Sequence, residues 1–130
     1  MARPTSKQPT DGELEILKIL WESGPAELGG ICSALRRHRP VATTTVATML
    51  KIMLSKGLVK RSEGDRASLW SAKVSQRAAT TGMLRKLLDR VFDGSAQRLV
   101  AHLLEEGRLS DQDRHEIQRL LDSSATGKKL

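Results

Sequence analysis

Aromatic residues are scarce in this chain of 130 residues, which has two Trp, one Phe and no Tyr. Proteins that bind single-stranded nucleic acid commonly stack the bases on several aromatic side chains. So few rings cannot form such a surface, and an aromatic-rich RNA-binding face is therefore excluded. Trp70 is better interpreted as an anchor in a core or at a hinge than as a stacking platform.

Cysteine is also nearly absent, because Cys32 is the only one. One Cys forms no internal disulfide and no Cys-rich metal site, and it suits a reducing cytoplasm. Cys32 lies beside an apolar helical stripe and is predicted to be a small core residue. The histidines His38, His102 and His115 have no catalytic or metal-binding spacing. The sequence therefore predicts no enzyme activity, no cofactor and no metal site.

Long apolar runs are missing as well. No run approaches the roughly 20 residues that a membrane-spanning helix requires. The first residues carry Arg, Lys and Pro instead of the apolar segment of a secretory signal. We therefore expect a cytoplasmic protein without membrane insertion.

Positive charge is abundant, with a formal net charge of +7 and a pI near 10.1. Residues 1–73 carry 12 basic and 7 acidic side chains, whereas residues 74–130 carry 10 and 8. Basic side chains gain affinity for nucleic acids by displacing counterions from the phosphates. The charge favours a polyanionic partner that contacts the first half of the chain.

Two helices are predicted near the start of the chain. Thr10 and Glu13 have the spacing of a capping box, so the first helix is expected from Asp11 to about Glu22. A Ser-Gly-Pro sequence then breaks the helix. The second helix ends in a cluster of positive charge and has an apolar stripe formed by Leu28, Ile31 and Leu35.

A third helix is predicted after Pro40 and ends near Lys56, where Gly57 suits a left-handed C-terminal cap. Its outward face carries hydroxyls, methyl groups and one cation, which can contact base edges, thymine methyls or phosphates in a major groove. Alternatively, the threonines only begin the helix, but Thr is a poor helix former beyond the cap. The outward residues are Thr44, Thr45, Thr48 and Lys51; the predicted inward stripe is Val46, Met49, Leu50, Met53 and Leu54.

Two β-prone runs follow, at 58–61 and 67–71, and the turn residues between them predict a hairpin. Lys60, Arg61 and Arg66 would lie on or near this hairpin, within reach of the phosphate backbone or a minor groove. Alternatively, they are solvated surface charges. Three helices followed by such a hairpin are typical of a winged helix-turn-helix.

Beyond residue 74 the sequence predicts three more helices with leucine stripes, the second capped by Ser95 and the third by Ser110. These helices are too few for a deep core, so we expect them to pack against a second copy of the chain. The alternative is packing onto the chain's own N-terminal domain. The predicted dimerisation residues are Leu84, Leu87, Leu88, Val91, Phe92, Leu99, Val100, Leu103, Leu104, Ile117, Leu120 and Leu121.

The predicted fold is therefore mainly α. A winged helix-turn-helix DNA-binding domain, made of three helices plus a small β-hairpin wing, occupies 10–73. A C-terminal helical dimerisation domain occupies 74–123. Residues 1–9 are expected to form a flexible N-terminal arm, and 124–130 a disordered tail.

The sequence also resembles the penicillinase repressor (BlaI/MecI/CopY) family of bacterial regulators between Thr10 and Asp122. The matching segments are TTVATML at 44–50, KGLVKR at 56–61, WSA at 70–72, FDGSAQRLVAHLLEE at 92–106 and LSDQDRHEIQRLL at 109–121, together with Arg66. This resemblance implies a homodimeric winged-helix repressor that binds a dyad operator in double-stranded DNA. The complete set of predicted DNA-binding residues is Thr43, Thr44, Thr45, Thr48, Lys51, Lys60, Arg61 and Arg66.

The resemblance further implies release of the operator by a signal. Relatives that control β-lactam resistance are cleaved at an Asn-Phe bond in the fifth helix, after a membrane sensor metallopeptidase is triggered. His102-Leu103 stands at that position here, which marks the corresponding cleavage region. Thr43 and Ile52 replace an aromatic residue and an arginine that are common in relatives, so the preferred half-site is expected to differ.

The function predicted from the sequence is sequence-specific repression at a promoter operator. The alternative is a nonspecific architectural nucleic-acid-binding protein, which shares the basic charge but has no preferred site. The two differ in how strongly their affinity varies among duplexes.

Overall fold

The computed structural model describes residues 8–125, which lie in two compact units divided between Leu84 and Arg85. Of the predicted flexible arm and disordered tail, residues 1–7 and 126–130 lie outside the described residues. The elements in chain order are α1 (Asp11–Ser23), α2 (Leu28–Arg36), α3 (Thr43–Lys56), β1 (Val59–Glu63), β2 (Ser68–Ala72), α4 (Gln76–Val91), α5 (Ala96–Glu105) and α6 (Asp111–Ala125).

The predicted capping box at the start of α1 is confirmed. The Glu13 backbone N–H donates to Thr10 Oγ1 at 3.2 Å, and the Thr10 N–H donates to Glu13 Oε1 at 3.0 Å. Two otherwise unpaired N–H groups are thereby satisfied at the helix start. The helix ends at Ser23, where Gly24 takes a positive φ of 80°.

The third helix ends as predicted, with Gly57 in the left-handed conformation at φ 80° and ψ 18°. Val46, Leu50 and Met53 are fully buried along its inward stripe. Leu54 is 40% exposed, so its predicted place on that stripe was wrong. At about 100° per residue, Leu54 lies about 80° around the helix from Val46 and falls at the edge of the stripe.

The hairpin is antiparallel and lies one or two residues later than predicted, with Arg61 opposite Trp70. Its second strand also forms an isolated bridge to the α1–α2 connection, where Ala26 and Trp70 exchange backbone hydrogen bonds of 2.9 and 2.8 Å. Trp70 is 8% exposed, which confirms it as a core anchor. The wing is thereby fixed to the helical part of the N-terminal unit.

The core of the N-terminal unit lies between the first three helices and the hairpin. Cys32 is 1% exposed within it, which confirms the prediction of a small core residue. Trp21 packs against this core and donates from Nε1 to the Val74 carbonyl at 2.9 Å. The buried apolar residues of the core are Ile16, Leu17, Leu20, Ile31, Cys32, Leu35, Val46, Leu50, Met53, Leu58, Val59 and Trp70.

The C-terminal unit contains the end of α4 together with α5 and α6. Ser95 caps α5 and Ser110 caps α6, both as predicted. None of the side chains described between 85 and 124 is buried. Residues 85–124 therefore form no closed apolar core within one chain. Its exposed large apolar residues are Leu87, Val91, Val100, Leu104, Ile117, Leu120 and Leu121.

Among residues 8–125, no helix combines the length and the apolar character needed to cross a membrane.

Candidate nucleic-acid interface

The outward face of α3 is exposed and polar. Thr44, Thr48 and Lys51 follow one another at intervals of four and three residues and therefore lie on one side of the helix, with Thr45 beside them. In the described part of the chain, none of these four side chains makes a hydrogen bond or an ion pair. Their hydroxyl and ammonium groups are therefore free to bind an external partner.

Thr43 differs from the other threonines. Its Oγ1 accepts a hydrogen bond of 2.8 Å from Arg36 Nη2, and Arg36 Nε donates to the Val41 carbonyl at 3.0 Å. Ala42, at the N-cap, provides no side-chain cap for the helix. The Thr43 hydroxyl is thus engaged by the preceding turn, unlike those of Thr44, Thr45 and Thr48.

The predicted wing cations face different directions. Lys60 and Arg61 are consecutive on β1, so their side chains project from opposite faces of the hairpin. The Arg61 guanidinium lies 5.6 Å from the centroid of the Trp70 ring, and its Nε donates to Ser68 Oγ at 2.9 Å. Arg66 is exposed in the turn between the strands and has no bonded partner within residues 8–125.

A cleft of about 290 Å³ brings the helix and the wing together. Lys51 from α3 and Arg61 from β1 both line it, above apolar side chains that include Leu50 and Trp70. The structure thus unites the predicted helix face with Arg61, whereas Lys60 projects from the other face of the hairpin. The hairpin also carries Glu63 and Asp65, which leave its net charge at only +1.

Two basic residues outside the predicted set, Arg36 and Lys56, connect the two ends of α3 to neighbouring elements. Arg36 connects the end of α2 to the start of α3, as described above. Lys56 forms a buried ion pair with Glu13, from Nζ to Oε1 at 2.7 Å. The basic cluster after α2 was a signal in the sequence for a role of Arg36. No sequence signal indicated the pairing of Lys56 with Glu13, because the two residues are 43 positions apart.

The described residues contain no group of three or more His, Cys, Asp or Glu side chains placed to hold a metal ion. His102 instead contacts the edge of the Phe92 ring at a centroid distance of 6.0 Å. The buried Cys32 has no access to a substrate. The exposed face of α3 offers threonine hydroxyls for hydrogen bonding and the Lys51 ammonium for binding an anion.

Three packed helices, a hairpin fixed beside them and an unpaired polar face on the third helix define a winged helix-turn-helix protein. A C-terminal helical segment follows, in agreement with the predicted fold. The model of the penicillinase repressor family matches residues 9–123. The chain therefore belongs to this family, which consists of transcriptional repressors and not of enzymes.

Several relatives span most of the chain. The penicillinase repressor of Bacillus licheniformis is 22% identical over 94% of this chain and 95% of its own length. The methicillin resistance regulatory protein MecI of Mammaliicoccus sciuri is 20% identical over 87% and 92%, respectively. The solution structure of B. licheniformis BlaI, in its monomeric form in complex with the blaP half-operator, has a TM-score of 0.49 at 21% identity and covers 55% of this chain and 87% of that chain.

Proposed function

We propose that this protein is a homodimeric repressor that recognises a dyad operator in double-stranded DNA and blocks transcription by occupying it. Membership of a family of transcriptional repressors supports DNA as the partner. The observation that carries the proposal is the unpaired face of α3, where Thr44, Thr45, Thr48 and Lys51 are exposed together. Three hydroxyls without internal partners suit the hydrogen-bonding pattern of a major groove.

Base recognition is assigned to the threonines. A Thr hydroxyl both donates and accepts, so it can bond purine and pyrimidine edges, and its methyl group can pack on the thymine methyl. Lys51 supplies a cation at the same face. Arg61, across the cleft from Lys51, is positioned for the flanking backbone, and Arg66 extends from the tip of the wing. Thr43 and Lys60 are proposed to contact the DNA backbone at the margins of this surface.

Dimerisation is assigned to the C-terminal helices. Apolar side chains such as Val91, Leu104 and Leu121 remain exposed within one chain, at 62%, 46% and 58%. Leaving so many large apolar side chains in water is unfavourable. A second copy of the chain carries the same leucine stripes, which could pack against them. A two-fold dimer would place two α3 helices in successive major grooves about 34 Å apart.

Release from the operator is assigned to an upstream signal. His102 and Leu103 lie inside α5 (Ala96–Glu105), so a peptidase would require local unfolding of that helix before it could cut there. Cleavage would separate α6 from the rest of the chain and thereby weaken the dimer. A membrane sensor metallopeptidase is the partner proposed for this step.

Selection of duplexes from a random pool at about 150 mM salt tests the proposal, because nonspecific binding is weak under such conditions. The expected result is enrichment of a dyad whose half-sites are about one helical turn apart. Tight binding without an enriched motif would instead support the nonspecific architectural protein. The same experiment with a pool that contains single half-sites would reveal whether two copies are required.

A further inference from the structure

We infer that the turn between α2 and α3, residues 36–41, is a second DNA-binding element that holds a backbone phosphate beside the start of α3. This inference rests on the proposed function and adds a contact that neither the helix face nor the wing supplies. The turn borders a shallow, wide-open concavity of about 510 Å³, lined by Arg36, Arg37, His38, Arg39, Pro40 and Val41. None of the lining residues is acidic, so the concavity favours an anion.

The turn is held in one conformation by its own hydrogen bonds. Arg36 donates both to the Val41 carbonyl and to Thr43 Oγ1, at 3.0 and 2.8 Å, and thereby connects the two helices. The backbone N–H groups of His38 and Arg39 both donate to the Leu35 carbonyl, at 3.0 and 3.2 Å. Because the turn is already ordered, binding an anion costs little additional conformational entropy.

Of the four basic side chains of the turn, Arg36 and Arg39 have hydrogen-bond partners among residues 8–125, whereas Arg37 and His38 do not. Arg39 donates from Nη2 to Glu15 Oε1 at 2.8 Å, and this hydrogen bond lowers the pKa of the Glu15 carboxyl. Its charge is therefore partly compensated, and it connects the turn to α1. Arg37 and His38 are exposed and form no side-chain hydrogen bond or ion pair within residues 8–125. Among residues 8–125, Arg37 therefore has no competing partner and is a permanent cation in the turn.

The chemistry of the site fits a phosphate group in particular. A guanidinium binds phosphate through two parallel N–H donors, and Arg remains charged at any physiological pH. Arg36 uses Nε and Nη2 inside the turn, and its charge adds to the positive potential near Arg37, which would make the direct contact. The turn leads directly into α3, so a phosphate bound there would belong to the duplex whose groove α3 enters.

The test measures the DNA affinity of Arg37→Gln and of the wild-type full-length chain between about 0.05 and 0.3 M salt. Each protein is titrated with the duplex obtained by the selection above and with an unrelated duplex. A phosphate contact carries no base information, so the affinity of the variant for both duplexes should fall by a similar factor. The slope of log K against log salt should become about one unit shallower. Arg37→Lys should keep the wild-type slope, because it retains the charge. Arg77→Gln, which removes an exposed arginine of α4, is the matched control and should change neither quantity.

The inference would be overturned if Arg37→Gln had wild-type affinity and slope. It would also be overturned if the loss of affinity were confined to the selected duplex, which would indicate a base contact. A free phosphate ion is the competing ligand. If inorganic phosphate displaces DNA from the wild-type chain more than chloride does at equal ionic strength, and Arg37→Gln removes that difference without changing the slope, the turn binds free phosphate instead. If the wild-type chain prefers no duplex but Arg37→Gln still flattens the slope, the operator proposal fails and this inference stands.

Discussion

Lys56 and Glu13 form an ion pair of 2.7 Å in which the two side chains are only 7% and 5% exposed. Glu13 Oε1 also accepts from the Thr10 N–H, so one carboxylate both caps the start of α1 and binds the last residue of α3. The end of the proposed recognition helix is therefore fixed to the first helix of the domain.

Breaking this pair from one side should strongly destabilise the N-terminal unit. Lys56→Met leaves a buried carboxylate without its cation, for which losses of about 3 to 5 kcal/mol are typical. The additional substitution Glu13→Gln removes the unpaired charge, so the double variant should regain part of that loss. Urea denaturation at fixed protein concentration measures both free energies of unfolding. Equal stability of Lys56→Met and the wild type would show that the pair contributes nothing.

The threonines of α3 are predicted to determine sequence preference. Thr45→Ala or Thr48→Ala removes a hydroxyl and a methyl group from the exposed face, so discrimination at the contacted base pair should fall by about 1 to 3 kcal/mol. Affinity for unrelated duplexes should change little. Competition binding with single-base variants of the selected site measures this. Thr80→Ala, which alters an exposed threonine on α4, is the control. The same loss of base discrimination in that variant would contradict a special role for α3.

Arg66 is predicted to bind the backbone from the wing. Because such a contact is independent of sequence, Arg66→Ala should lower the affinity for all duplexes by a similar factor. It should also make the slope of log K against log salt shallower by about one unit. Lys18→Ala, which removes an exposed cation from α1, should leave the slope unchanged. Anisotropy titrations at several salt concentrations provide the slopes. An unchanged slope for Arg66→Ala would mean that the wing tip does not contact phosphate.

The C-terminal helices are predicted to join two copies of the chain. Leu104→Glu combined with Leu120→Glu places charges in the proposed apolar interface, and burying an unpaired charge is strongly unfavourable. The variant should sediment as a monomer where the wild type sediments as a dimer, and its affinity for the dyad should fall. Gln97→Glu adds a charge at an exposed polar position of α5 and should not change the mass. A monomeric wild type at micromolar concentration would refute the dimer.

The contact between Glu15 and Arg39 should make the basic turn sensitive to acid. Hydrogen bonding and the charge of Arg39 lower the pKa of Glu15 below its ordinary 4.5, so the folded chain favours the carboxylate. The resulting stabilisation is fully present above that ordinary value and is lost as the pH falls through the lowered pKa. Glu15→Gln should therefore have a lower melting temperature than the wild type near neutral pH, and this difference should disappear in acid. A pH-independent difference between the melting temperatures would exclude this linkage.

Features set by neighbouring residues were predictable from the sequence. The capping box at Thr10 and Glu13, the left-handed cap at Gly57 and the caps at Ser95 and Ser110 each depend on side chains within a few positions. The buried positions of Trp70 and Cys32 followed from composition and periodicity. Leu54 was misplaced because it lies at the edge of the stripe, where periodicity does not decide between core and solvent.

Features that depend on distant residues were not predictable. The register that places Arg61 opposite Trp70 determines the face of the hairpin on which Arg61 lies. A shift of one residue in the pairing would move Arg61 to the other face. The pairing of Lys56 with Glu13 depends on how α1 and α3 pack. The attachment of Arg36 to Thr43 likewise required the geometry of the turn, although the basic cluster itself was evident in the sequence.

Base recognition by α3 is tested by selecting duplexes from one random pool in parallel with the wild-type chain and with the triple variant Thr44→Val, Thr45→Val and Thr48→Val. Valine keeps the size and one methyl position of threonine but cannot form its hydrogen bonds. We expect the wild type to select a dyad and the variant to lose base preference within each half-site. An identical motif from both proteins, or no motif from the wild type, would contradict base recognition by the exposed face of α3.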